Sequence, residues 1–524
     1  DYATLSLGAM LVPIYPSLLS DQIKYICDDS EAKVLIVADK IQMDKVDQVH
    51  EQLKTVQNFY VFDVPSEGLK DPWKSFESLM EDGQKFLADK PDYVQNEIAK
   101  VEPQDWATII YTSGTTGEPK GAVLTHSNFL SNVEDALSVI DITSEDVFLS
   151  FLPLSHVFER MAGHYLSNYP GATVAYAESI DTVPENMVEI KPTMMVSVPR
   201  LYEKMYARIL EAVEAGPPLK RKIFYWALKV GSEYIDRVSK KQPIPGGLQF
   251  KRNLAYKLVF SKLAERVGGR LRLFVSGGAP LNKEIAEFFG AAGLLILEGY
   301  GLTETSPVIT VNLPDHFKFG TVGPPLPSVE VKIAEDGEIL TRGPHVMVGY
   351  YKKEAETREA IDEEGWFHTG DIGIIDEDGF LKITDRKKNI IVTSGGKNVA
   401  PQPIENRLIQ SPYIEQAVVI GDKRKFCSAV VVGTEDQIIK WAKENNIAFT
   451  DYQDLIRKPE VKQLLREEID NLTKDLARYE TIKDFFIAPQ PFTIETGDLT
   501  PSLKVKRRVV EEKYKKEIDA MYDV

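Results

Sequence analysis

Cysteine is almost missing. Cys27 and Cys427 are the only two in 524 residues and lie far apart, so neither a disulfide framework nor a cysteine metal site is suggested, and a reducing, cytosolic setting is expected. Long apolar runs are missing too: no segment approaches the roughly eighteen uninterrupted apolar residues of a membrane-spanning helix, so no such span is expected. Positive charge is in deficit. The 62 Lys and Arg stand against 79 Asp and Glu, a formal net charge of −17, which argues against a chain built mainly to wrap nucleic acid and leaves room only for a local basic patch. Histidine is scarce, and His50, His164, His316, His345 and His368 show no metal-ligand spacing. An initiator Met is absent as well. Leu5, Leu7 and Met10-Leu11-Val12-Pro13 already read as a folded interior behind Asp1, so the natural N-terminus is expected upstream and no targeting segment can be tested.

What is present is ordinary in bulk: 43% hydrophobic and 27% charged residues, typical of soluble globular chains, at a length that calls for two or three domains. Ser20 reads as the cap of a short helix that puts Ile23, Ile26 and Cys27 on one face, followed by the strand-length run Val34 to Val37. The same rhythm returns at Leu271 to Val275, a helix with Ile285, Phe288 and Phe289, and Leu294 to Leu297. Short apolar strands alternating with amphipathic helices predict an α/β fold with parallel strands covered on both faces.

Residues 213–268 read as a basic helical insertion on that body, punctuated by Pro217-Pro218 and Pro243-Ile244-Pro245-Gly246-Gly247. From about 320 to 384 a small antiparallel unit is expected, with Asp376-Glu377-Asp378-Gly379 as a hairpin turn. After Asp385 the pattern restarts, with strands at Ala417 to Ile420 and Ala429 to Val432 and one last helix through Val510, Tyr514, Ile518 and Met521. The expected division is therefore 1–384 and 385–524.

The most informative stretch is Tyr111-Thr112-Ser113-Gly114-Thr115-Thr116-Gly117-Glu118-Pro119-Lys120-Gly121, directly after the apolar Ile109-Ile110. Hydroxyls and glycines after a strand make a loop whose N–H groups can surround phosphate oxygens, with Lys120 adding positive charge. It is not a Walker loop, because Pro119 and Gly121 stand where Gly and Ser or Thr would be needed.

This stretch resembles the signature of the adenylate-forming enzymes: acyl-CoA synthetases, peptide-synthetase adenylation domains and luciferase. Further motifs of that superfamily follow in order: Gly299-Tyr300-Gly301-Leu302-Thr303-Glu304-Thr305, Trp366-Phe367-His368-Thr369-Gly370-Asp371, Asp385-Arg386-Lys387-Lys388, Gly395-Gly396-Lys397 and Thr500-Pro501-Ser502-Leu503-Lys504. The resemblance covers the whole chain, although members usually carry a further segment ahead of the region that opens it. It implies a large multi-subdomain N-terminal α/β domain with the small antiparallel β unit, and a smaller mobile α+β C-terminal domain hinged at Asp385.

Each motif also has a chemical reading. A carboxylate is a poor acyl donor until it becomes an acyl adenylate, and making one brings the carboxylate to the α-phosphorus of ATP. Mg²⁺ offsets that repulsion, and the resemblance makes Glu304 its ligand. Thr112, Ser113, Gly114, Thr115, Thr116, Gly117 and Lys120, together with Thr303, would hold phosphate. Asp371 has the two acceptor oxygens a ribose diol needs, with Arg386 as a nearby donor. Gly278, Ala279 and Pro280, after Gly277, allow close backbone approach to a purine edge, and Tyr300, followed by Gly301, offers a ring for stacking. By resemblance, His156 lies near the acyl site, although a lone histidine is as often structural. Lys504 bridges carboxylate and α-phosphate in adenylation, whereas Gly395, Gly396 and Lys397 serve thioester formation. The basic residues around Lys504, namely Lys506, Arg507 and Arg508, fit CoA phosphates, an anionic membrane surface or plain solvation equally well.

The insertion and the Thr-Pro-Ser-Leu-Lys-Val-Lys-Arg ending look like a bacterial-type long-chain fatty acyl-CoA synthetase. The implied substrates are a fatty acid, ATP and CoA, with Mg²⁺ as cofactor and no nucleic-acid partner. A homodimer, and peripheral attachment of a cytoplasmic protein to the inner membrane face, stay open. Met194, Met195, Val196, Leu201 and Tyr202 read equally well as acyl pocket or core. Two alternatives remain: an acyl-adenylate former that loads a carrier protein, and a non-catalytic nucleotide- or acyl-binding relative.

Overall fold

A computed structural model describes residues 1–112, 118–493, 496–499 and 505–523. The chain divides into two compact units. The first comprises Asp1–Tyr202, Gly216–Val331 and Leu340–His368, and the second Glu203–Ala215, Lys332–Ile339 and Thr369–Val524.

In the first unit, Val34–Val37, Asn58–Val61 and Trp73–Ser75 form a parallel three-stranded sheet. Its core continues through Ile23, Ile26, Cys27 and Phe59 to Ile109, Tyr111 and Val123. The helix that carries the first three of these starts at Ser20, one residue later than a cap would stand. The Leu19 N–H is taken by Gln22 Oε1 at 3.0 Å, and the Ser20 hydroxyl donates instead to Gln48 Oε1 at 3.0 Å. Here the long-range partner overrode the local capping preference.

A six-stranded sheet forms the centre of this unit. Five parallel strands, Thr173–Tyr176, Val147–Ser150, Met194–Ser197, Leu273–Ser276 and Leu295–Gly301, lie in that spatial order, and Val308–Val311 closes the edge antiparallel to the last. The parallel expectation thus holds for all but the edge strand. Met194, Met195, Val196, Leu201 and Tyr202 are all buried, with Met194–Ser197 in the middle of the sheet, so they pack as core. The basic insertion is helical over Pro218–Ser239 and Gly246–Ala255, then through Tyr256–Phe260 to Arg266. It is seated firmly: a Cβ on Gly231 would stand 2.2 Å from the Ala291 carbonyl oxygen, so only glycine lets the first insertion helix approach the helix Lys283–Ala292 this closely.

In the second unit, Ile414–Ile420 pairs antiparallel with Cys427–Gly433, which pairs parallel with Ile482–Ala488. Both faces are covered. Val419 and Val431 point into a cluster with Ile438, Leu465 and Phe485, while Val418 and Val430 point into another with Phe492, Val510 and Ile518. A sheet buried on both sides explains why these strands read as unbroken apolar runs rather than alternating ones. The expected last helix is two, Arg507–Lys513 and Lys515–Ala520, broken where Tyr514 takes φ −109 and ψ 25. The break is local: the bonds from Tyr514 N–H to Val510 and from Ile518 N–H to Tyr514 survive at 3.0 and 2.9 Å, and the Tyr514 ring packs on Phe486 with centroids 5.4 Å apart. The Asp376–Gly379 turn joins Phe367–Ile375 to Leu381–Arg386, with Asp376 Oδ1 accepting the N–H groups of Asp378 and Phe380 at 3.0 Å each.

Candidate active site

The phosphate-loop motif sits in a hairpin. Trp106–Thr112 and Lys120–Thr125 pair antiparallel with Thr112 opposite Lys120, and the Thr112 hydroxyl donates to the Lys120 carbonyl at 3.3 Å. Ser113, Gly114, Thr115, Thr116 and Gly117 lie outside the described residues, as does Lys504. The hairpin is tied down on both flanks. Tyr111 donates to Asp29 Oδ2 at 2.6 Å and Tyr25 to the Pro119 carbonyl at 3.0 Å, while Gly121 lets the Ile109 side chain lie 2.6 Å from where a Cβ would stand.

A short strand, Gly349–Tyr350, pairs with the second strand of this hairpin and places Tyr350 opposite Ala122. Its side chain then connects two expected site residues. The Lys120 ammonium lies 4.9 Å from the Tyr350 ring centroid, and the Tyr350 hydroxyl donates to Glu304 Oε1 at 2.9 Å. Burial, with the Glu304 carboxylate as the second cause, pushes the Tyr350 phenol well above its ordinary pKa, so it remains a donor at any working pH.

Glu304 sits in the single helical turn Thr303–Thr305 that follows the strand Leu295–Gly301. The turn is fixed from several sides. Thr305 Oγ1 accepts the Leu302 N–H at 2.9 Å and donates to the Pro307 carbonyl at 2.6 Å, and Ser306 Oγ donates to the His345 carbonyl at 2.9 Å. Buried Asn132 brackets Val308 through its N–H and carbonyl at 3.0 and 2.8 Å, and Asn128 Nδ2 donates to Pro344 and Val346. The reading of the sequence missed Tyr350, Asn128 and Asn132. The only available signal was two asparagines among the apolar positions of the helix His126–Val139.

Gly278, Ala279 and Pro280 are exposed just beyond the strand Leu273–Ser276, with Gly278 at φ +79. Tyr300 and Gly301 end the neighbouring strand, with Tyr300 buried and opposite Thr310. His156 is half-buried; its Nδ1 accepts the Phe158 N–H at 3.1 Å, and its ring meets Tyr15 edge-on at 6.3 Å. Nearby, Glu159 is fully buried in the π-helical turn Glu159–Tyr165, and burial pushes its carboxyl up to about 8 despite the Ser150 hydroxyl at 2.5 Å.

In the second unit, Asp371 and Arg386 are cross-strand partners. Arg386 Nε lies 3.0 Å from Asp371 Oδ1, and Asp371 is buried. Lys387 is held by Asp336 at 2.5 Å and Glu338 at 2.9 Å, and Glu338 also accepts the Gly370 N–H at 2.9 Å. Burial pushes the adjacent Asp385 carboxyl up to about 6, against the opposing hydrogen bonds from the Arg386 and Gln402 N–H groups. Gly395, Gly396 and Lys397 form the exposed tip between Ile391–Val392 and Asn398–Val399, closed by the Thr393 N–H to the Lys397 carbonyl at 3.0 Å. Lys397 Nζ lies 5.9 Å from the Tyr479 ring centroid. Among the described residues no group of three or more His, Cys, Asp or Glu could by itself hold a metal ion, and no helix is long and apolar enough to cross a membrane.

Comparison with known proteins fits this layout. The FadD15 long-chain-fatty-acid–CoA ligase of Mycobacterium tuberculosis is 37% identical over 529 residues, spanning all of this chain and 85% of that protein. The peroxisomal long chain acyl-CoA synthetase 6 of Arabidopsis thaliana is 34% identical and long-chain-fatty-acid–CoA ligase 5 of Mus musculus 32%, each over all of this chain and 75% and 78% of theirs. Among solved structures, the adenylation domain of a Mycobacterium chelonae carboxylate reductase matches with a TM-score of 0.72 at 25% identity, over all of this chain and 78% of that one. An anthranilate CoA ligase holding anthranoyl-AMP matches with a TM-score of 0.70 at 20% identity, over 99% and 85% of the two chains, and shows the shared fold. Residues 1–351 match the AMP-binding enzyme family and residues 388–524 the AMP-binding enzyme C-terminal domain, so the chain belongs to the AMP-binding enzymes.

Proposed function

We propose that this protein is a long-chain-fatty-acid–CoA ligase: it joins a fatty acid to AMP from ATP, releasing pyrophosphate, and then passes the acyl group to CoA, releasing AMP. The observation that carries this reading is the likeness, along the whole chain, to two relatives bearing that name and a third named a long chain acyl-CoA synthetase. The geometry supports it, because Tyr350, beside the hairpin that bears the phosphate-loop motif, has a cation 4.9 Å from its ring centroid and a carboxylate at its hydroxyl.

Bound Mg²⁺ would neutralise charge between phosphate oxygens. Glu304 suits it: one carboxylate oxygen is fixed by a neutral phenol, and a single carboxylate with phosphate oxygens is a donor set this ion takes. Lys120 and Thr303, with the hydroxyls of Thr112, Ser113, Thr115 and Thr116, would bind phosphate. Asp371, oriented by Arg386, would accept the ribose hydroxyls. Lys504 would stabilise the charge that develops as carboxylate meets α-phosphorus, and the Gly395–Lys397 tip would serve the thioester step after rotation about Asp385.

A substrate panel tests the function. Medium- and long-chain fatty acids should outrun acetate by orders of magnitude, since each buried methylene contributes about 0.8 kcal/mol. Fastest turnover with acetate or an amino acid, or acyl transfer to a carrier protein but not to free CoA, would overturn it. For the division of labour, Lys504→Ala should abolish pyrophosphate exchange yet still convert preformed acyl-adenylate and CoA to thioester.

A further inference from the structure

The insertion inverts the charge of the molecule. Between residues 218 and 266 there are twelve Lys and Arg against three Asp and Glu, a local +9 in a chain of net charge −17. The second insertion helix is also apolar on two sides. Leu248, Ala255 and Phe260 face inward, packed with Ala227 and Val230 of the first insertion helix. Phe250, Leu254 and Leu258, spaced by four, face outward and are 70%, 39% and 47% exposed. Lys251 and Lys257 are exposed beside that outer stripe, and Leu219, Tyr225 and Trp226 are exposed on the first insertion helix with Lys220, Lys222 and Lys229.

Core packing has no use for the outer stripe. A stripe of large apolar side chains flanked by lysines is the composition of a helix that lies in the interface of an anionic bilayer, with the apolar face among the acyl chains and the ammonium groups at the headgroups. We propose that the outer face of residues 246–262 docks this protein on an anionic lipid surface. The occupant follows from charge. A second copy would bring another local +9 to the same face, whereas phosphate headgroups complement it. On the proposed function, this face would draw long-chain acids from the bilayer in which they partition; the docking itself does not depend on that reading.

The test is sedimentation of the full chain with vesicles, which reads binding without activity. Wild type should bind roughly 3:1 phosphatidylcholine–phosphatidylglycerol vesicles, bind pure phosphatidylcholine far more weakly, and release as salt rises. Combining Phe250→Ser, Leu254→Ser and Leu258→Ser should weaken binding about tenfold or more. Combining Lys251→Gln and Lys257→Gln, which leaves the packing untouched, should weaken it roughly 25-fold, about fivefold per lysine. Both variants should unfold thermally like wild type and keep wild-type turnover on a soluble medium-chain acid. Equal binding of wild type to both vesicles, or unchanged binding by the lysine variant, overturns the proposal. A lipid-free shift from dimer to monomer in the serine variant would overturn it in favour of a second copy as occupant.

Discussion

Two glycine-bearing regions of this molecule are built on opposite terms. In the first unit, a Cβ on Gly301 at the end of the central sheet would stand 1.7 Å from the Pro307 carbonyl oxygen, and one on Gly163 in the π-helical turn 2.3 Å from Glu159 Oε1. At the exposed tip in the second unit, a Cβ on Gly396 meets nothing within 4 Å and one on Gly395 only Thr393 Oγ1 at 4.0 Å. The first glycines are dictated by packing. At the tip, Gly396 is asked for by its φ of +72, and Gly395 by neither space nor backbone angle. A substitution at Gly395 can therefore test the proposed thioester role of the tip without disturbing packing.

The largest effect should come from Gly301→Ala. Pro307 and the Glu304 turn must move, at a cost of about 3 kcal/mol in stability, together with loss of adenylation. A differential scan unchanged from wild type would break the packing side of the comparison. Glu159→Gln sharpens it through pH. The folded-state pKa is raised from 4.5 to about 8, so the unfolded chain loses its proton first and stability contributed by the neutral form drains away as pH rises through that window. Wild type should therefore lose more stability than Glu159→Gln between about pH 5 and 8, at up to about 1.4 kcal/mol per unit. Denaturation curves that fall in parallel would show that Glu159 is not held neutral.

Asp371→Ala probes the second unit. Loss of a buried charged acceptor should weaken apparent ATP affinity and turnover by about 1.5–3 kcal/mol, and unchanged ATP kinetics in a folded variant would remove Asp371 from the nucleotide site. Tyr350→Phe deletes one hydrogen bond to Glu304 and should cost about 1 kcal/mol, read as a raised Mg²⁺ requirement in pyrophosphate exchange with CoA transfer spared. The smallest effect on folding is expected for Gly395→Ala, whose melting temperature should match wild type. If its thioester step from preformed adenylate also matches, the tip is a plain turn and the contrast with Gly301 loses its functional meaning.

The sequence by itself determined a good deal. The phosphate-loop motif had to follow a strand because Ile109-Ile110 precede it, Asp376-Glu377-Asp378-Gly379 had to be a hairpin turn, and the doubly buried strands of the second unit announced themselves as unbroken valine-rich runs. These are short-range consequences of side-chain periodicity and backbone freedom. Tertiary structure alone decided the rest. Tyr350 stands 46 residues from Glu304 and far from Lys120 in the chain, and it meets both only because Gly349–Tyr350 adds to the edge of the hairpin. Ser20 gave up its capping role to Gln48, and Tyr514 broke the last helix while packing on Phe486. In each case a partner distant in sequence offered a hydrogen bond or a packed ring, and no local pattern encodes which distant partner the fold will supply.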